Sequence, residues 1–247
     1  MLIYTFPSLQ GATVLKRPSA KIRSPYVADI ELDDGTIALC HTPGLGCSGL
    51  VVPGSRIYVS ENADRETKTD WTVQISEPKT DMFIGVHPLT TQNAIYSLLN
   101  KIHSGAEWAS EIKVHNCRLD YVGYLPNGKK VYVEVKTVMT SKEKGVAVFP
   151  DRIDKGKKSI SPRAVAHANV LSYLAEKEDT DSCLLIYAVS RSDCTKMVIC
   201  PEDIEYQAAL HKATVKGVKL HAFVLEFDIE GEVVFKGEIP VENPFIE

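Results

Sequence analysis

Two strand-like runs joined by Pro126-Asn127-Gly128 constrain this chain more than any other stretch. Proline presets φ at the second position of a type I turn, and glycine accepts the left-handed conformation that follows. A three-residue loop of this kind closes a β-hairpin through a G1 bulge, which sets Leu125 opposite Lys129. Counting back along both arms brings Asp120 opposite Glu134, with Lys136 two residues on and on the same face as Glu134. Val131, Val133 and Val135 take the other face, toward a core. Two carboxylates directly across a strand pair repel. A hard divalent cation, which takes oxygen ligands, removes that repulsion, and the adjacent lysine is placed to hold a water or to stabilise charge on a phosphate. The alternative is an exposed polar hairpin face, which like charges set opposite one another make costly. For Lys136 the alternative is an ion pair with Glu134, although exposed pairs contribute little to stability.

The hairpin sits in a chain of two characters. Short strands are expected at 12–16, 26–32, 36–41, 56–60, 71–76 and 83–86, separated by turns such as Asp33-Asp34-Gly35 and Pro53-Gly54. So many short strands in one segment suit a small barrel of the OB type. From about Pro88 the pattern changes. Thr90 is a candidate N-cap, and Ala94, Ile95, Leu98, Leu99 and Ile102 have helical spacing. Strands follow at 111–115, 117–125 and 130–139. Ser161-Pro162 then opens a second helix with a cap and a proline at the first helical position. The apolar run 182–189 reads as a buried central strand. A helix over 202–214 and strands at 219–227 and 232–239 complete the order. The expected fold is mixed α+β, with an OB-like β-barrel over 1–86 and an α/β domain over 87–247.

Bulk properties narrow the partners. Of 247 residues, 44% are hydrophobic and 24% charged, an ordinary globular composition. No apolar run approaches a membrane span, and the N-terminal stretch lacks the pattern of a secretory signal, so a cytoplasmic protein without membrane contact is expected. None of the six cysteines forms a Cys-x-x-Cys pair, which argues against a zinc ribbon and for reduced thiols. The formal net charge of −4 gives no global attraction to nucleic acid, so any such binding must use local basic surface. The insert 152–160 carries Lys155, Lys157 and Lys158 just before Arg163. It is either a loop that grips the phosphate backbone or a solvated surface loop. Lys16, Arg17, Lys21 and Arg23 form a looser basic run, and Tyr26, Tyr58, Trp71 and Phe83 are either stacking platforms or barrel core.

An aspartate followed by Glu-x-Lys on the next strand is the active-site pattern of the PD-(D/E)xK nucleases. With its motifs in order, the chain resembles the sugar fermentation stimulation protein A (SfsA) family. The resemblance is carried by Ser110-Glu111-Ile112-Lys113, Arg118-Leu119-Asp120-Tyr121 and Val133-Glu134-Val135-Lys136-Thr137-Val138. Phe149-Pro150-Asp151, then Ser161, Arg163 and His167, extend it. The chain departs from the family at Pro43-Gly44-Leu45-Gly46, where the family has Pro-Asn-Thr-Gly, at the insert 152–160, and at Ala164 and Ala166. Nuclease-like folds often place a glutamate on the first helix, where this chain has Asn93.

The resemblance implies an OB-like domain followed by a nuclease-like domain, and binding of DNA or RNA without sequence specificity. It implies Asp120, Glu134 and Lys136 as catalytic residues, with Lys136 orienting the attacking water and stabilising the pentavalent phosphate. Asp120 and Glu134 would hold Mg²⁺ or Mn²⁺. Glu111 is either a third carboxylate of that site or the solvated end of its strand. Arg163 and His167, one turn apart at a helix start where free N–H groups favour an anion, are candidate phosphate contacts; a satisfied histidine is the alternative for His167. Two functions remain in view: a divalent-metal-dependent nuclease, and a non-catalytic DNA-binding regulatory protein on a nuclease scaffold. A sugar or small-molecule enzyme has no supporting motif.

Overall fold

The computed structural model describes residues 1–44, 46–63, 67–151 and 161–245. The insert bearing Lys155, Lys157 and Lys158 lies outside the described residues. The chain divides into two compact units: Met1–Ala94 with Ser190–Ser192 and Leu225–Lys236, and Ile95–Val189 with Asp193–Val224 and Gly237–Glu247.

The first unit contains β1 (Leu2–Thr5), β2 (Gln10–Lys16), β3 (Val27–Leu32), β4 (Ile37–His41), β5 (Arg56–Glu61), β6 (Trp71–Lys79) and β7 (Met82–Gly85). Their sheet runs β4-β3-β2-β5-β6-β7, and β4 also pairs with β6. That pairing is parallel, at Cys40↔Trp71 and His41↔Thr72, and closes β2 to β6 into an OB-like ring of five strands. The ring's core comes from the period of two: Ala12 and Val14, Ile57 and Val59, Val73 and Ile75 alternate inward and are buried. Arg17 belongs to this architecture. Its guanidinium donates to the carbonyls of Pro25, Gly44 and Val51, so its donors are spent on backbone. The helix α1 (Pro88–Ile102) begins before the expected cap. The Thr90 hydroxyl donates to Gln74 Oε1, and His87 Nδ1 accepts the Thr90 N–H instead.

The second unit begins with β8 (Glu107–Val114), β9 (Cys117–Tyr124) and β10 (Lys130–Val138), then β11 (Ser141–Glu143) and β12 (Val146–Phe149). α2 (Pro162–Leu174), β13 (Thr180–Val189), β14 (Lys196–Ile199) and α3 (Ile204–Val215) follow. β15 (Lys219–Phe227), β16 (Glu232–Ile239) and β17 (Val241–Glu242) end the order, with Leu225–Phe227 of β15 and Glu232–Lys236 of β16 belonging to the first unit. The main sheet runs β16-β15-β13-β10-β9-β8. β10, β13 and β15 are parallel, while β8, β9 and β10 form an antiparallel meander. β1 pairs antiparallel with β16 at its first residues. A second small sheet, β11-β12-β14-β17, was not expected from the sequence. One core joins sheet and helices through Leu119, Tyr132, Val138, Leu171, Leu185 and Leu210. Among the described residues no helix is long and apolar enough to cross a membrane.

Candidate active site

The hairpin register follows from its turn. Leu125 N–H donates to Lys129 O at 2.9 Å, Gly128 N–H donates to Leu125 O at 2.9 Å, and Gly128 has φ of +81°. The Asn127 side chain braces the bend by accepting the Lys129 N–H. From there the ladder runs Lys130↔Tyr124 to Val133↔Tyr121, and the next step is Glu134 beside Asp120. At that step the pairing changes character. Asp120 Oδ2 accepts the Val135 N–H at 2.7 Å, so the carboxylate takes a backbone donor of β10. Within β10, Tyr132 and Val138 enter the core shared with α2, and Glu134 and Lys136 lie between them in sequence on the same period-two face.

α2 brings the third polar group. Ser161 caps it by accepting the Ala164 N–H, and Pro162 occupies its first turn. Its buried stripe is Ala164, His167, Ala168, Leu171 and Leu174, so His167 stands at a core position of the helix. His167 Nδ1 and Lys136 Nζ both contact Glu134 Oε1, the lysine at 2.5 Å. Glu134 is 2% exposed, and its Oε2 is buried with no hydrogen-bond partner. Such an oxygen is costly to leave uncompensated. Beneath it, Tyr187 and Tyr206 are fully buried and share a hydroxyl–hydroxyl bond of 2.7 Å. Tyr187 is the β13 register partner of Lys136, and the Glu134 charge adds to the upward push that burial gives the Tyr206 hydroxyl.

The two carboxyl groups titrate in opposite directions. Burial, then the charge of Glu134, pushes Asp120 up to about 7, against the pull of the Val135 N–H and Lys136. Burial also works to raise Glu134, but the His167 hydrogen bond and the Lys136 charge outweigh it and hold that carboxyl below its ordinary value. One carboxylate is therefore ionised and locally over-compensated on one oxygen, while its neighbour resists ionising. A hard divalent cation fits this donor set. Asp120 and Glu134 Oε2 offer oxygen ligands, and Mg²⁺ is usually held by one or two carboxylates with water and phosphate completing its shell. Among the described residues there is no cluster of three His, Cys, Asp or Glu groups that could hold a metal.

The other sequence candidates fall into three places. Glu111 is on the edge strand β8, with a left-handed φ of 56° and an exposed ion pair to Arg118 at 3.3 Å. Its charge still adds a little to the upward shift of Asp120. Arg163 is exposed on the first turn of α2. His167, expected to contact phosphate, is 2% exposed and bound to Glu134; the apolar stripe of α2 carries it inward. Sequence reasoning passed over Cys117, half-buried at the start of β9. Burial, then Glu134, raises its thiol, while Arg163 and Lys136 oppose the shift, so it shares the electrostatic field of all three. Its position three residues before Asp120 was the available signal.

Comparisons with known proteins agree with this architecture. Residues 86–231 match the family model described as the sugar fermentation stimulation protein RE domain. The sugar fermentation stimulation protein homolog of Ruegeria sp. (strain TM1040) is 31% identical over 225 residues, covering 87% of this chain and 90% of that protein. The homolog of Agrobacterium fabrum (strain C58 / ATCC 33970) is 30% identical over 224 residues, covering 87% of each. Among solved structures, that of Pyrococcus furiosus SfsA in complex with Ca²⁺ has a TM-score of 0.82 at 20% identity, covering 98% of this chain and 99% of that one. At that identity the likeness is one of fold.

Proposed function

The chain belongs to the sugar fermentation stimulation protein (SfsA) family, and from that premise we propose that it is a divalent-cation-dependent phosphodiesterase acting on nucleic acid. The observation that carries the reading is the unpartnered, buried Oε2 of Glu134 beside a carboxyl, Asp120, that keeps its proton up to about 7. Both features are disadvantages to a bare fold, and a cation held by these two groups would relieve both. The Ca²⁺ in the P. furiosus structure accords with a site of oxygen ligands; Mg²⁺ or Mn²⁺ is the cation proposed here.

Asp120 and Glu134 would hold the cation. When bound, it supplies a Lewis acid for a phosphoryl oxygen and lowers the pKa of a water. The protein's own groups do the rest. Lys136, 12% exposed, keeps its ammonium against Glu134, where it can orient the attacking water and offset charge that builds on phosphate. Arg163 is exposed at the start of α2, where the helix dipole favours an anion. A guanidinium there suits a bidentate phosphate contact. Neither group reads a base edge, so sequence preference is weak.

A nucleic-acid binder that retains the scaffold without turnover is the second reading, favoured by the absence of a third metal-binding carboxylate among the described residues. Labelled single- and double-stranded DNA and RNA, incubated with Mn²⁺ or with chelator, separate the two. Wild type should cleave only with the cation, and Glu134→Gln should lose at least about 100-fold in rate, the scale seen when an electrostatic catalytic group is removed. Binding without cleavage in every substrate would establish the second reading instead.

A further inference from the structure

We propose that His167 is a positioning residue acting through Glu134: its ring holds Oε1 of the carboxylate and so presents Oε2 to the divalent cation. The inference rests on the cation-site reading above and names the residue that orients one of its ligands.

A histidine in the stripe Ala164, Ala168, Leu171, Leu174 replaces an apolar side chain at a buried position. Burying a polar ring is unfavourable unless it is hydrogen-bonded. Among the described residues, His167 Nδ1 meets Glu134 Oε1, with Lys136 Nζ beside it. The carboxylate can only accept, so Nδ1 must donate to it. Lys136 Nζ donates to the same oxygen, and the two nitrogens stand 3.2 Å apart as co-donors rather than as partners. Two donors converge on Oε1 and none reaches Oε2. Rotating the carboxylate would break both bonds at once, so its plane is fixed with one oxygen committed and one left to a ligand.

The division of labour between the donors favours the histidine as the orienter. Lysine carries its ammonium on a flexible four-carbon stem, and Lys136 retains some exposure. The imidazole is short, planar and 3% exposed, and it hangs from a helix whose stripe neighbours Ala164 and Ala168 are buried. A partner that hydrogen-bonds a metal ligand from behind is commonly worth about 10–100-fold in metal affinity.

The test is the affinity of the full chain for Mn²⁺, read from the electron paramagnetic resonance of the free ion, with thermal unfolding in chelator as the check on folding. His167→Leu fills the stripe and removes the donor, and should weaken Mn²⁺ binding by about 10–100-fold. His167→Asn places an amide N–H₂ where Nδ1 stands and should return the affinity close to wild type. His167→Gln places its donor one atom farther out and should behave like the leucine variant. If His167→Leu does not fold, the asparagine–glutamine pair decides alone. Wild-type affinity in the leucine or glutamine variant would overturn the proposal, as would an asparagine variant no better than glutamine when both fold. A wild-type protein that binds no Mn²⁺ would instead overturn the cation site on which the proposal stands.

Discussion

Replacing Asp120 by asparagine should make the metal-free protein more stable above neutral pH, although it removes a candidate ligand. Burial and the Glu134 charge raise the Asp120 carboxyl from 3.8 to about 7 in the fold. A raised pKa means that the native state binds a proton more tightly than the unfolded chain. The contribution of this group is fully present below about pH 4 and is lost as pH rises through about 7. At about 1.36 kcal/mol for each tenfold change in proton activity over that interval, the loss is at most about 4 kcal/mol. Asparagine cannot titrate, and its amide oxygen can still accept the Val135 N–H that Asp120 accepts at 2.7 Å. The difference in unfolding free energy, Asp120→Asn minus wild type, should therefore climb by up to about 4 kcal/mol between pH 4 and pH 8. Urea unfolding in chelator across that range measures it, and the pH-dependent part is independent of any packing change the substitution brings. Adding Mn²⁺ at pH 8 should recover wild-type stability by mass action and leave the variant unmoved. A difference that stays flat with pH would show that Asp120 is not strained and would remove the physical motive for a cation.

Two basic residues should separate by function. Arg163→Ala should leave stability within about 0.5 kcal/mol, as for an exposed site, and should lower the slope of log affinity against log salt by about 0.9 on duplex DNA. An unchanged slope across a salt series would remove Arg163 from the interface. Arg17→Lys should do the reverse. A lysine cannot span the carbonyls of Pro25, Gly44 and Val51 together, so urea unfolding should show a loss of at least about 2 kcal/mol, with the salt slope unchanged.

Local chemistry made the hairpin legible. Proline, asparagine and glycine at 126–128 determine a turn whose register is carried along two strands, and that alone brings Asp120 beside Glu134. The five-strand ring was legible from its turn-separated alternating runs, but its closure rests on two residue pairs between β4 and β6, which no periodicity reports. β11 and β17 have three and two residues, too few for alternation to register, and β14 has four. The site was half legible. The carboxylates and the lysine follow from strand geometry. The inward turn of His167 required reading Ala164, Ala168 and Leu171 as a stripe with the histidine inside it, against Glu134. Arg17 looked like part of a basic run because charge counts register no partners; the carbonyls that claim it come from two separate connections, β2–β3 and β4–β5.

Crystals soaked in Mn²⁺ and measured at a wavelength where manganese scatters anomalously test the central claim most directly. One strong peak is expected in contact with Asp120 and with Oε2 of Glu134, about 2.1 Å from each oxygen as for a small octahedral divalent ion, while Oε1 keeps its bonds to Lys136 and His167. A peak elsewhere in the protein, or no peak at saturating Mn²⁺, would contradict the assignment of these carboxylates as a cation site.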